Sequence, residues 1–299
     1  MRVTTRPSFA TCLWDSATGR YPARPDADLV RWVGPVQPVR SVYVAGDEWR
    51  SYNVARDPVQ IGGCVFWLDA ATIPAQTDGT DLEDWPAVIG NSPTTPGNAP
   101  DYRTAAGIGE NWPAVEFDDS NSEYMTVDDI LNREGYEFTC VVAGKPTSNA
   151  EANWVSADTT GLNDDFLFGI HQNYNFGSSV SQTVGVTLHP AGGSVTSAND
   201  DGTVSTTVWN AWAARVSTQD DTLELWDFAN DKTAATTSTA ITNPSVRYNT
   251  TWQIGRNAAG NRYADIQMAE CIIFDRYLTA IELESLALYL DDKYEGLGT

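Results

Sequence analysis

The sequence predicts an all-β chain, a sandwich or barrel closed by one C-terminal helix and preceded by an N-terminal arm. Three observations predict it. Apolar runs of strand length recur from Cys64 onward with turn residues between them. One segment near the C-terminus has helical spacing behind a helix-start signature. The first 60 residues differ in composition from all that follows.

The arm, residues 1–60, holds six of the 15 prolines and eight arginines, and no lysine. Its apolar pieces are short, Leu29–Val33 and Ser41–Val44, and Pro35 and Pro38 fall between them. Proline has no N–H to give a ladder, so this pattern suits extended or edge-strand backbone. An arm with two short strands is expected. From Cys64 onward, strands are predicted over Cys64–Asp69, Ala114–Asp118, Tyr124–Val127, Tyr136–Ala143, Asn153–Ser156 and Phe166–His171. Further strands are predicted over Thr183–Leu188, Val208–Val216, Leu223–Asp227, Thr251–Ile254 and Ala264–Asp275. Alternation puts Tyr136, Phe138, Cys140 and Val142 on one face. Clusters of Gly, Asn, Asp, Thr and Pro, as over 91–100 and 191–202, supply the turns.

The helix begins at Thr279-Ala280-Ile281-Glu282, a capping box in which hydroxyl and carboxylate satisfy each other's orphan N–H groups. Leu278 and Leu283 occupy the staple positions. Leu283, Leu286 and Leu290 follow at helical spacing, and the helix is expected to end near Tyr294, before Gly296.

Charge divides the chain in the same place. The formal net charge is −22. Residues 1–60 carry a net +2, whereas residues 61–299 carry ten basic and 34 acidic side chains, a net −24. So acidic a body repels nucleic acid and anionic membranes, and neither is an expected partner. It suits a salt-tolerant surface, or one that faces cations or a partner. No apolar stretch approaches the ~18–20 residues of a membrane span. Two arginines follow Met1 with no apolar segment behind them, so no secretory leader is expected. Cys12, Cys64, Cys140 and Cys271 form no C-x-x-C pair. The last three lie in apolar strand-like runs and are expected to act as small buried hydrophobes, with a bridge left open.

Several stretches carry a resemblance. Met268-Ala269-Glu270-Cys271-Ile272-Ile273-Phe274-Asp275-Arg276-Tyr277-Leu278-Thr279, with Glu282 and Leu286 to Tyr294, is similar to the closing strand and helix of laminin-G-like, concanavalin A-like domains. Val65-Phe66-Trp67-Leu68-Asp69-Ala70 resembles their opening strand. Trp112-Pro113-Ala114-Val115-Glu116-Phe117-Asp118 resembles an internal strand, with Asp119 where glycine is usual. Thr251-Trp252-Gln253-Ile254-Gly255-Arg256 matches the strand before the last turn. The resemblance spans Cys64 to Tyr294 and implies a two-sheet antiparallel jelly-roll sandwich. The arm has no counterpart in it.

Such a scaffold hosts lectins, adhesion modules, glycosidases and lyases, so the function must come from a site. A retaining glycosidase needs two carboxyls about 5–5.5 Å apart. The E-x-D-x-x-E strand that supplies them on this scaffold does not occur. Glu224 and Asp227 are three apart, on opposite faces of a strand, and are expected at a solvated edge with Leu225 inward. His171 and His189 have no nearby nucleophile and are expected on the surface or in turns. No H-E-x-x-H, G-x-S-x-G or phosphate loop occurs. A non-enzymatic protein is therefore expected. The resemblance also implies calcium on acidic loops, since a hard cation takes oxygen ligands. The candidates are Asp158, Asn163, Asp164 and Asp165 on one loop and Asp200 and Asp201, after Asn199, on another; ordinary polar turns are the competing reading. Trp154, Tyr174, Trp209 and Trp212 are candidates for stacking on sugar, although Trp209 and Trp212 cannot share one face of a regular strand.

Trp14-Asp15-Ser16-Ala17-Thr18-Gly19-Arg20, followed by Trp32-Val33-Gly34, resembles short modules of bacteriophage tail and head-fibre proteins. The leading expectation is a structural protein on the virion surface, in head decoration or tail fibre, that displays a lectin-like sandwich. Arg2, Arg6, Arg20, Arg24, Trp14 and Trp32 would dock the arm on capsid or tail subunits. Self-association and a cell-surface glycan are the other expected partners. A free carbohydrate-binding or adhesion module and a polysaccharide-cleaving glycosidase or lyase are the alternatives.

Overall fold

A computed structural model describes residues 30–32, 39–44, 48–53, 55–106, 112–128, 130–131, 137–157, 168–172, 183–188, 196–199, 205–217, 220, 222–230, 232–237, 251–257, 260, 262–294 and 297. For 30–32, 39–44, 48–53 and 232–237, and for Thr196 and Asn230, the description is of backbone alone.

Within the arm, β1 (Val30–Trp32), β2 (Val39–Val44) and β3 (Glu48–Asn53) form a three-stranded antiparallel sheet in the order β1-β2-β3. Val30 pairs with Val42 and Trp32 with Arg40. The third strand, Glu48-Trp49-Arg50-Ser51-Tyr52-Asn53, carries charged and polar residues at four of its positions, and the pattern of apolar runs passes over it. The chain then joins the body. Arg56 N donates to Ser285 O, and Asp57 caps the short helix α1 (Pro58–Ile61) by accepting from Gln60 N at 2.9 Å.

The body is a two-sheet antiparallel sandwich. One sheet has ten strands: β4 (Cys64–Asp69), β5 (Thr80–Asp81), β6 (Ala87–Ile89), β7 (Asp101–Arg103), β8 (Ala114–Phe117), β10 (Glu137–Pro146), β15 (Asn210–Ser217), β16 (Thr222–Asp227), β17 (Lys232–Thr237) and β19 (Ile266–Phe274). The other has six: β9 (Met125–Asp128), β11 (Ala152–Ala157), β12 (Phe168–Gln172), β13 (Val184–Leu188), β14 (Thr196–Asn199) and β18 (Thr251–Ile254). The long β19 organises the first sheet. One edge pairs with β10 along its length, while the other pairs with β8 at Ile266–Met268 and with β4 at Glu270–Phe274. The second sheet runs β14-β13-β12-β11-β18-β9.

Period-2 alternation sends one side of every strand into the space between the sheets. There Trp85, Trp154, Trp252, Phe117, Phe138 and Phe168 are fully buried. Phe138 meets Phe168 edge-on at 4.9 Å and Trp252 at 6.1 Å. Each such side chain contributes roughly 1.5–3 kcal/mol by leaving water. Cys140 and Cys271 lie in this core, buried and free, as small hydrophobes; Cys64 is free and half-buried, and burial pushes its thiol up to about 12.

The outer face of the ten-stranded sheet is also apolar, because helix α2 (Ala280–Tyr294) covers it. The capping box forms: Thr279 N donates to Glu282 Oε2 at 2.9 Å, and Glu282 N to Thr279 Oγ1 at 3.3 Å. Leu278 and Leu283 are buried as the staple, and Leu286, Leu290 and Tyr294 continue the buried stripe. Near the helix C-terminus a charged group enters this interface. Lys293 Nζ lies 2.6 Å from both Asp69 Oδ2 and Glu270 Oε1. Glu270, 0% exposed, also accepts from Trp67 Nε1 at 2.9 Å, Tyr294 Oη at 2.7 Å and Tyr289 Oη at 3.2 Å. Burial and the Asp69 charge push its carboxyl up, and Lys293 opposes them. The helix is thus fastened by one lysine between two strands.

Candidate functional site

Among the described residues no helix packs on the outer face of the six-stranded sheet, whereas α2 covers that of the ten-stranded one. Strand registers align the side chains of the uncovered face in two rows. Asn199, Gly185, His171 and Asn153 form one, across β14, β13, β12 and β11. Ser197, Thr187, Gly169, Ser156, Gln253 and Thr126 form the other, which continues through β18 to β9. Every side chain in both rows is an amide, hydroxyl or imidazole, or is absent. A polar outer face is ordinary when it is wet. Here the centre is dry: Asn153, Ser156, His171, Thr187 and Gln253 are all buried.

A hydrogen-bond chain crosses three strands, from Ser197 Oγ to Thr187 Oγ1 at 3.2 Å and from Thr187 Oγ1 to His171 Nε2 at 2.7 Å. Burial, helped by the charge of Arg262, drives the His171 pKa down to about 3, so the imidazole is neutral. Gly185 permits this arrangement. A Cβ there would sit 2.2 Å from Asn199 Oδ1 and 2.4 Å from His171 Cε1, so only glycine lets the two side chains converge over β13. Asn153 differs from its neighbours. It is 0% exposed, yet neither Oδ1 nor Nδ2 has a hydrogen-bond partner among the described residues. A buried amide left so costs on the order of 1–3 kcal/mol for each unmade bond.

The hairpin after β18 forms a wall at one end. Ser156 Oγ donates to Arg256 O at 2.9 Å, which ties the start of the hairpin to the floor. Asn257 and Arg262 close it through Asn257 N to Arg262 O and Arg262 N to Asn257 Oδ1. Arg256 lies over the Tyr124 ring, 3.3 Å from its centroid, and its Nε donates to Gln253 Oε1. Tyr124 meets Tyr263 edge-on at 6.2 Å, and both are half-buried. Arg262 is held by Glu151 at 3.4 Å. The result is a floor of neutral hydrogen-bonding groups beside two tyrosines and two guanidiniums.

Few of the residues singled out from sequence lie here. Asp158, Asn163, Asp164, Asp165, Asp200 and Asp201 lie outside the described residues, as do Arg2, Arg6, Arg20, Arg24, Trp14, Tyr174, His189 and Cys12. Trp32 ends β1, where its backbone pairs with Arg40. Among the described residues no group of three or more His, Cys, Asp or Glu side chains could hold a metal ion. Trp154 and Trp212 are buried between the sheets and Trp209 on the helix side, so none offers a stacking surface. Trp209 and Trp212 do fall on opposite faces, as their spacing requires.

Two expectations are corrected. His171 is not a surface or turn residue; it sits inside β12, where polar cross-strand neighbours make a buried histidine tolerable. Glu224 and Asp227 occupy opposite faces with Leu225 inward, but not at a solvated edge, since β17 pairs outside them. Arg215 and Tyr277 engage Glu224, and Asp227 is buried and accepts from Asn210 Nδ2 at 2.8 Å. Sequence reasoning missed Asn153, Gln253, Arg256 and Tyr124. Ser156 and Gln253 were legible only as polar positions of two predicted strands, and Arg256 only as the residue after the strand's closing Gly255.

No protein-family model matches the chain, and no curated protein matches it. Among solved structures it is similar to the binding domain of botulinum neurotoxin DC in complex with SialylT, at TM-score 0.49 and 10% identity, over 77% of this chain and 52% of that one. It is similar to the sialidase of Trypanosoma rangeli in complex with the inhibitor DANA, at TM-score 0.48 and 13% identity, over 79% of this chain. The chain spans only 34% of that sialidase. It is also similar to the CBM40 of Ruminococcus gnavus IT-sialidase bound to alpha2,3 sialyllactose, at TM-score 0.41 and 17% identity, over 52% of this chain and 83% of that one. These are likenesses of chain path at low identity.

Proposed function

We propose that the chain is a non-catalytic glycan-binding sandwich that receives saccharide on the outer face of the six-stranded sheet. The unpartnered amide of Asn153, buried in rows of hydroxyls, amides and a neutral imidazole, carries the reading. A polyol offers alternating donors and acceptors, and a carboxamide with both atoms unspent matches a pair of adjacent hydroxyls. The same set is poorly suited to hydrolysis. A histidine with a pKa of about 3 carries no proton to give at neutral pH.

In its fuller form the reading makes this a virion-surface protein, a head decoration or tail-fibre component. Residues 1–60 then dock on capsid or tail subunits and the sandwich faces outward. The charge contrast between a +2 arm and a −24 body supports it, because the body alone would be repelled by an acidic shell.

A glycan array with the full chain and with Asn153→Ala tests the first part. The full chain is expected to bind a defined saccharide class, and the variant to lose about 10-fold or more in affinity while remaining folded. A folded chain that binds no saccharide overturns the reading. Deleting residues 1–60 tests the second part: particle attachment should vanish while the sandwich stays folded.

A further inference from the structure

We propose that the saccharide bound on this face carries an anionic group, a carboxylate or a sulfate ester, and that Arg256 is the residue that receives it. This rests on the glycan-binding reading above. Arg103 is paired with Asp78, Asp101 and Glu116, Arg215 with Glu224, Arg262 with Glu151, Arg276 with Glu282, and Lys293 with Asp69 and Glu270. Among the described residues two basic side chains of the body have no carboxylate within ion-pair distance: Lys145, which donates to Ala106 O and lies over the Trp209 ring on the helix side, and Arg256, beside the polar face.

What holds Arg256 instead leaves its charge unspent. The Tyr124 ring supports one face of the guanidinium, and Gln253 Oε1 accepts a hydrogen bond from Nε; both partners are neutral. Stacking and a single hydrogen bond fix the plane of the fork without neutralising it, which is how an arginine is prepared for a planar or tetrahedral anion. Gly260 lies beside the fork; its φ of +68° favours glycine, and a Cβ there would make only ordinary contact with Arg256 Nη1, at 3.4 Å.

The surroundings suit a sugar acid more than a free anion. Tyr124 and Tyr263 present half-buried aromatic surface beside the fork, and pyranose rings pack on such surface. The floor continues from it in register through Gln253 and Ser156, and Asn153 lies three residues back along the same strand as Ser156, in the neighbouring row. An inorganic ion would use Arg256 and leave the rest of this row unused.

The test measures affinities of the full chain for matched pairs: a hexuronate oligosaccharide against its carboxyl-reduced form, and a sulfated galactan oligosaccharide against its desulfated form. One anionic member is expected to bind about 10-fold more tightly than its neutral counterpart, with the preference falling as salt rises. The pair that shows it identifies carboxylate or sulfate as the group. In Arg256→Gln the ratio should fall toward one, and in Arg256→Lys part of it should survive, because the charge remains but the stacked fork is gone. Urea unfolding of each variant checks that the sandwich is intact. Equal binding of charged and neutral members overturns this inference alone, as does a ratio that persists in Arg256→Gln. Absence of binding to any saccharide removes the underlying reading as well.

Discussion

Lys293→Met tests the fastening of α2, the contact that closes the fold on its helix side. The lysine gives two charge-assisted bonds of 2.6 Å, to carboxylates that are 8% and 0% exposed at the side chain. Methionine keeps most of the length and removes the charge. Glu270 then retains only the neutral donors Trp67, Tyr289 and Tyr294, and its charge faces Asp69 without a cation between them. Breaking a buried pair from one side costs about 3–5 kcal/mol when the remaining charge cannot escape. Here it can escape by protonation. Burial already raises the Glu270 pKa with lysine present, and loss of the lysine raises it further. A raised carboxyl pKa gives stability that is present at low pH and lost as pH rises. The variant should therefore lose about 3–5 kcal/mol near pH 8 and progressively less as pH falls and Glu270 takes a proton. Urea titrations followed by tryptophan fluorescence, near pH 8 and near pH 5, measure the losses. Adding Glu270→Gln to Lys293→Met should recover part of the loss at the higher pH. A loss below about 1 kcal/mol near pH 8, or equal losses at the two pH values, would refute the reasoning.

Two other perturbations address the sandwich and its polar face. Gly185→Ala places a methyl 2.2 Å from Asn199 Oδ1 and 2.4 Å from His171 Cε1, so both side chains must turn away. It should cost about 1–3 kcal/mol in urea unfolding and weaken saccharide binding in calorimetry together, since the displaced side chains belong to the proposed site. Burial raises the Glu123 pKa from 4.5 to about 7, although hydrogen bonds from Asp118 N and Asn121 Nδ2 pull the other way. Its contribution to stability is full below pH 4.5 and is lost as pH rises toward 7. The excess in Tm of the parent over Glu123→Gln should accordingly be larger at the acid end of that window, as scanning calorimetry at a series of pH values would show.

The fold was legible where pattern and energetics coincide. Cys64–Asp69 and Thr251–Ile254 are strands over the residues expected, because each has an uninterrupted β-rich run bounded by turn residues. The helix was legible down to its cap and staple, since Thr279, Glu282, Leu278 and Leu283 act on near neighbours. Strands of two or three residues were not legible. Thr80–Asp81, Ala87–Ile89 and Asp101–Arg103 are held by their partners at the end of a sheet, and so short a span shows no period. Lys232–Thr237 and Thr196–Asn199 escaped for another reason. Rich in Thr, Ser, Ala and Asn, they have the composition of loops, and pairing with β16 and β13 makes them strands.

The candidate site was hidden by the same alternation that revealed the sheets. Along Ala152–Ala157 and Phe168–Gln172 the apolar positions announce a core, and Asn153, Ser156 and His171 fill the remaining phase, where solvent is the ordinary expectation. Nothing local to those strands states that their outward side is dry. That fact belongs to the tertiary structure, as does the alignment of Asn153 with His171 and Gly185, which are 18 and 32 positions away in sequence. The glycines were the available clue. In a strand interior glycine weakens the sheet unless another group needs its space, and Gly185 is such a case. Sequence locates the sandwich through the residues it buries for stability; the site lies in the residues buried against that preference.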